Sequence, residues 1–355
     1  MSTQFGIVHA LWNHAADGGA LLDRVAGEVG IDHVTVPVIT GELEEFRLGV
    51  STEQPYFHTE GGWHFLPTTK SYAASGLRPI KARWFGTTDA LARLREHVER
   101  LSLRLVTRID LRSVRALVEN EPHLAQRNAW GQEVPLAGPC VSNSNLRELL
   151  RATIEDLQRY QPTGYQLAHW EIDRGVYRAT PRPLDWQIRL GRELDTCFCP
   201  ACRQIAERAG VEPDQAARCT RLQVKKLIEC PPSSATEGDS DDVVRRYCEA
   251  RSADGNAWLQ RLSQGLPEVR LRQLWTPPYR VFHAPAGVLE HVVRWPSERP
   301  VDDDYIAALL RYAAQFAAGW ALHVWKPCFD DAARLVRLVT EASHLQVPFF
   351  DFEGL

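Results

Sequence analysis

Strand-like and helix-like patterns alternate along almost the whole of this 355-residue chain. Runs rich in β-branched and aromatic residues cover 5–11, 32–38, 103–109, 165–172, 269–275, 288–295, 320–325 and 347–352. Between most of them lie segments with apolar residues at three-and-four spacing, at 19–29, 88–101, 146–160, 243–266, 304–318 and 331–345. The helix expected over 304–318 starts on acidic residues and stops at Gly319. Eight strands in βα alternation predict the α/β class and one (β/α)8 TIM barrel domain over 1–355. Two long excursions interrupt it. Residues 41–79, rich in aromatics and histidine, are expected as an insertion near the barrel mouth, with a lid as one use. Residues 231–242, Pro-Pro-Ser-Ser followed by acidic and small residues, are expected as a flexible loop. Residues 276–287 carry no helical pattern, so the barrel must degrade its helix there.

With 44% apolar residues, a chain of this length can bury a large core. Its net charge of −4, without a basic block, argues against nucleic acid and anionic membranes as partners. No apolar run approaches a membrane span. The residues after Met1 show no basic segment, long apolar segment or cleavage motif, so a cytoplasmic protein is expected. The eleven tryptophans lie mostly in or beside strands, where they can stack on sugar rings or, as the plainer reading, fill the core.

Eight cysteines in so long a chain, three of them in one tight group, suit thiols and a metal site better than a disulfide framework. Cys197-Phe198-Cys199-Pro200-Ala201-Cys202 places three thiolates where they can face one soft ion, and Cys140 upstream supplies a fourth. With no redox motif nearby, structural zinc on Cys140, Cys197, Cys199 and Cys202 is the expected cofactor, because four thiolates leave no open coordination position. It would pin the loop after the fourth strand onto the loop after the third. Unliganded, reduced thiols are the alternative.

The stretch Pro139-Cys140-Val141-Ser142-Asn143-Ser144-Asn145-Leu146-Arg147, then a helix, a strand carrying a glutamate and the three-cysteine cluster, resembles the family-42 β-galactosidases. The same cysteine phrase recurs in uncharacterised glycosidase-like barrels. The resemblance covers 138–210, about a fifth of the chain. It implies a (β/α)8 glycoside hydrolase with paired glutamates, a four-cysteine zinc site and, as often among such barrels, a homo-oligomer. Carried over, Glu171 takes the general acid/base position after strand four. Two departures follow: Trp170 stands where the family has asparagine, and strand seven ends in Lys326 without the nucleophilic glutamate, leaving Glu290 as a substitute if the strands shift.

Barrel chemistry lies at the carboxyl ends of the strands. There the sequence offers Glu171 and Asp173 as catalytic candidates, and with His169 they alternate along one strand and so share a face. Asp351 and Glu353 end the last strand and are candidates for the partner carboxylate, since glycoside hydrolysis needs two carboxyl groups astride the bond. His9, Arg108, Asp110, His169, Arg294, His323 and Lys326 are expected to bind substrate; each can equally serve structure alone. Glu60 with His58 and His64 offers a second metal site of unfamiliar spacing. The expected activity is paired-carboxylate cleavage of a small glycoside or sugar-containing metabolite. The alternatives are a metal- or His/Lys-dependent sugar isomerase, epimerase or lyase, and a catalytically silent sugar-binding barrel.

Overall fold

Both periodicities read from the sequence appear in the computed structural model, which describes residues 4–46, 56–134, 137–170, 190–191, 193–229, 242–275, 288–294, 320–325 and 349–353. The strands are β1 (Gln4–Val8), β2 (His33–Thr40), β3 (Leu43–Phe46), β4 (Tyr56–Thr59), β5 (Gly62–Trp63), β6 (Arg104–Ile109), β7 (Gly164–Ala168), β8 (Val269–Trp275), β9 (Val288–Arg294), β10 (Trp320–Trp325) and β11 (Phe349–Glu353). The helices are α1 (Leu11–Asp17), α2 (Ala20–Val29), α3 (Ala90–Arg100), α4 (Arg115–Asn120), α5 (Ser144–Leu157), α6 (Pro200–Arg208), α7 (Pro213–Glu229) and α8 (Asp242–Ser263).

The main sheet curls, and its strands pair in parallel in the order β1, β2, β6, β7, β8, β9, β10, β11. β1 also pairs in parallel with β11, while β5 adds antiparallel to the end of β2. β2 is buried along nearly its whole length, as expected of a parallel strand covered on both faces. Pro37, which cannot donate to the ladder, coincides with a register irregularity against β6.

One face of the sheet is apolar and meets the helices. Val34, Val36, Val38, Leu105, Ile109, Leu167 and Leu271 share a core with Leu22, Val25, Leu91, Leu94, Leu146, Leu149, Leu150 and Leu259. α5 shows why these segments fold as they do. Asn143 caps it by accepting from the Asn145 and Leu146 amides, and Leu146, Leu149, Leu150, Thr153, Ile154 and Leu157 form one buried stripe. Fully burying one such leucine is worth about 2 kcal/mol. The opposite, inner face of the curl is polar and is described below.

Two elements differ from expectation. The run 5–11 ends as a strand at Val8, and Leu11 already opens α1, with the Asn13 and His14 amides bonded to the Ala10 carbonyl. The run 165–172 leaves the sheet after Ala168. Of the excursions, 41–79 includes the β3–β4 hairpin, β5 and a 3-10 turn at Thr69–Ser75. Residues 231–242 fall outside the described residues except for Asp242, the first residue of α8. The helices expected over 304–318 and 331–345, and the stretch 276–287, also lie outside them.

Candidate functional site

The inner face of the sheet carries a ladder of buried polar side chains. Arg108 on β6 donates from Nε to Gln166 Oε1 on β7 at 2.5 Å, and the two residues are register partners. Arg270, next in register on β8, donates to Glu268 at 2.5 Å and meets His33 Nε2 at 3.3 Å. A Cβ on Gly6 would lie 2.3 Å from that His33 nitrogen, so glycine is what lets the ring lie against β1. Arg108, Gln166, His33 and Arg270 are all buried. Charged groups held this deep survive only when hydrogen-bonded to one another.

At the carboxyl end of β7 the chain turns sharply. His169 has φ 55, a left-handed conformation uncommon outside glycine. It is held from three sides. Its amide donates to the Arg272 carbonyl at 3.2 Å, its carbonyl accepts from Arg112 Nη1 at 3.0 Å, and Nδ1 lies 2.9 Å from Asp110 Oδ2. Asp110 is itself oriented, accepting from the Ser113 amide at 3.2 Å and the Ser113 hydroxyl at 2.6 Å. The next residue, Trp170, is buried and stacks on Trp258 of α8 with ring centroids 5.4 Å apart. So Trp170 has a packing role. The expectation that His169 belongs to a continuing strand does not hold, because the turn at His169 breaks the alternation.

Glu171, Asp173 and Lys326 lie outside the described residues. Asp351 is in register with Gly6 on β1 and His323 on β10, and Glu353 pairs with Trp325. Arg294 pairs with Trp275, and Glu290 with Leu271 and Trp320. His9 follows β1, its amide bonded to the Thr35 carbonyl, and its ring meets that of His14 edge-on at 5.7 Å. Burial, reinforced by His14, pushes His9 down to about 4. Arg108, Asp110 and His169 therefore gather around the ends of β6 and β7, whereas His9, between β1 and α1, pairs with His14 of α1. Arg112 and Gln166 were not foreseen. Gln166 could have been found by its parity with Gly164 and Ala168, but nothing local marks Arg112, whose partners are a carbonyl 57 residues away and the Ala137 carbonyl.

The residues His58, Glu60 and His64 do not come together. His58 faces Glu42, Glu60 faces Arg83, and His64 is locked in the interior. The Trp84 indole donates to His64 Nδ1 at 2.8 Å, so Nε2 carries the proton and donates to Thr40 Oγ1 at 2.7 Å, which in turn donates to the Gly41 carbonyl. Burial pushes His64 down to about 3. Above it Trp12 stacks on Phe57 at 5.0 Å, while the Trp12 indole and the Asn13 amide both donate to Glu45 on the hairpin. That tryptophan is occupied by protein partners.

Beside the sheet, Cys140, between β6 and α5, meets Cys197, Cys199 and Cys202, which lead into α6. All four are buried, with their sulfurs within 4.8 Å of one another. The Cys140 sulfur lies 3.5 Å from that of Cys202 and 3.8 Å from that of Cys197. A disulfide needs about 2.05 Å. Four thiolates about 2.3 Å from one tetrahedral ion stand about 3.8 Å apart, so this group fits a metal ion. Its neighbours support the geometry: the Cys199 amide points at the Cys197 sulfur at 3.5 Å, and the Tyr247 hydroxyl donates to the Cys197 carbonyl at 2.8 Å while its ring stacks on Phe198. Hydrogen bonds from the other thiols, with Arg251 nearby, hold Cys202 well below the usual thiol range.

Among the described residues no helix is long and apolar enough to cross a membrane. No protein-family model matches the chain, and neither does any curated protein. Solved structures do match. The β-galactosidase of the psychrophilic Marinomonas ef1 aligns with a TM-score of 0.55 at 11% identity, over 99% of this chain and 54% of that one. The β-galactosidase of Bacillus circulans sp. alkalophilus aligns with a TM-score of 0.51 at 12% identity, over 99% of this chain and 50% of that one. The chain thus spans about half the length of the solved enzymes it matches. At such identities the likeness is one of fold alone. This chain shares a glycosidase-like fold, a curled parallel sheet with helices packed on its outer face, and sets a buried four-cysteine cluster beside it.

Proposed function

We propose that the chain is a glycoside hydrolase-like enzyme on a (β/α)8 barrel, cleaving a small glycoside or sugar-containing metabolite by paired-carboxylate catalysis. The pairing of β1 with both β2 and β11 supports the complete barrel. The observation that carries the activity is the end of β7. His169 is held at φ 55 by Arg112, Asp110 and the β8 backbone, two residues ahead of Glu171. Strained, over-determined backbone concentrates at functional sites, and the proposed general acid/base follows this one closely in sequence. Asp351 is the proposed partner, supported by its register with Gly6, whose neighbour His33 belongs to the polar inner face. Glu171 protonates the leaving oxygen, and Asp351 attacks the anomeric carbon or activates water. Asp173 and Glu353 are the further acidic candidates of the sequence, while Arg108, Asp110, Arg294, His323 and Lys326 are proposed to supply contacts for sugar hydroxyls. The four cysteines hold a structural zinc ion, a reading supported by the sulfur spacing; when bound, it ties the loop after β6 to the loop after β7.

The test is turnover of a panel of aryl glycosides, galactosides first, by the wild type and by Glu171→Gln and Asp351→Asn. Hydrolysis that falls at least ~100-fold in each variant is the expected result, since a positioned acid or base contributes about 10²–10⁴. Wild-type protein inert to every glycoside, or Glu171→Gln as active as wild type, overturns the proposal. The anomer released first, read by NMR, then distinguishes a nucleophilic Asp351 from one that activates water.

A further inference from the structure

On the helix-covered side of β1, away from the polar inner face, lies a second group of metal-ligating side chains. His9 follows Ile7 by one strand period, and Ile7 packs into the core shared with α2 and α3. His14 and Asp17 stand one turn apart on α1 and so share a face of it. One ring nitrogen from each histidine and a carboxylate oxygen of Asp17 all lie within 4.8 Å of one another. His9 is 2% exposed and His14 8%, yet His9 Nε2 and His14 Nδ1 are buried without a hydrogen-bond partner. An unmet buried polar atom forfeits its hydration without compensation, so two in one pocket call for an explanation.

We infer that His9, His14 and Asp17 form a second metal site, for a divalent first-row transition ion, that fastens the carboxyl end of β1 to α1. Two imidazoles and a carboxylate are a borderline donor set that suits zinc, cobalt or nickel rather than calcium or magnesium. Ligands of one such ion stand about 3–4 Å apart, so atoms now within 4.8 Å of one another need to close by about 1–2 Å at most, within the reach of side-chain rotation. The surroundings are prepared for a dication. The Asp17 carboxylate is already oriented, accepting from the Gly19 and Leu21 amides at 2.8 and 3.1 Å. His97 of α3 packs its ring 5.2 Å from that of His14 and is held by Asp23 at 2.7 Å, so Asp17 and Asp23 together offer two negative charges. Gly19, at φ 92, passes so close that a Cβ there would lie 2.2 Å from the His97 ring. Asp17 is half-buried and gives the ion its approach from solvent.

The test is Co²⁺ titration of the full chain after chelation, read by equilibrium dialysis and visible absorption. Wild type is expected to bind two equivalents: one with thiolate-to-cobalt charge-transfer absorption, lost in Cys202→Ser, and one without it. His14→Gln is expected to lose only the second equivalent. Asp17→Asn keeps an oxygen for the Gly19 amide and is expected to weaken it at least tenfold, which covers the case in which His14→Gln does not fold. A wild type that binds no ion beyond the thiolate-bound equivalent, or a second equivalent that survives in His14→Gln or Asp17→Asn unchanged, overturns the inference. Neither result depends on glycosidase activity.

Discussion

Replacing His64 by glutamine isolates the cost of keeping an imidazole neutral in the core. In the folded chain His64 accepts from Trp84 and donates to Thr40, and burial lowers it from the ordinary 6.5 to about 3. Unfolded, it regains the ordinary value. Between those limits the unfolded chain binds the extra proton, so this group's share of stability is fully present above pH 6.5 and drains away as pH falls toward 3. Each pH unit in that window is worth up to about 1.4 kcal/mol, which makes the loss at pH 5 about 2 kcal/mol relative to pH 8. Glutamine retains one acceptor and one donor but does not titrate. Urea unfolding of both proteins at pH 8, 7, 6 and 5, at fixed ionic strength, is the assay. The variant is expected to start less stable at pH 8, through imperfect packing, and to lose about 2 kcal/mol less than wild type on going to pH 5. Other groups titrate in the same window in both proteins, so the difference reports His64. Parallel pH profiles for the two proteins would refute the reasoning, because they would mean that the folded imidazole protonates as readily as a free one.

Cys202→Ser is expected to release the ion proposed for the four-cysteine site and to loosen the attachment of α6 to the loop before α5, read as loss of bound zinc by mass spectrometry and faster amide exchange around Cys140 and Cys197. Unchanged zinc content would count against the assignment. Arg112→Met removes the donor to the His169 and Ala137 carbonyls from a position 1% exposed, and is expected to cost about 2–4 kcal/mol in urea unfolding. If the turn at His169 aims Glu171, turnover per folded molecule should also fall; a variant with lower stability but wild-type turnover would leave Arg112 a purely structural role.

Much of the architecture was legible because periodicity is local. A strand repeats every two residues and a helix every 3.6, so the apolar runs that became β2, β6, β8 and β10 and the stripes that became α3 and α5 could be read without knowing their neighbours. The four cysteines were legible for a related reason: three of them stand within six residues, and soft ligands so spaced have few other uses. The places where the reading overran, Leu11 and His169, are where the chain leaves a strand through hydrogen bonds that the sequence does not display. The Ala10 carbonyl starts a helix in an apolar run, and Arg112 and Asp110 hold a histidine in a glycine-like conformation.

The amino-acid order alone thus determined the strands of the main parallel sheet, helices α2, α3, α5 and α8, and a group of cysteines spaced to face one ion. Tertiary structure decided which side chains meet. His64 is neutral because Trp84 and Thr40 close around it, and Arg108 and Gln166, 58 residues apart, pair because parallel register brings their strands level. His14 and His97 come together because α1 packs beside α3. The physical reason is one of range. Backbone sterics and apolar periodicity act over a few residues, whereas the polar contacts that set protonation, ligation and strain arise only when burial brings distant segments into a shared, water-poor interior.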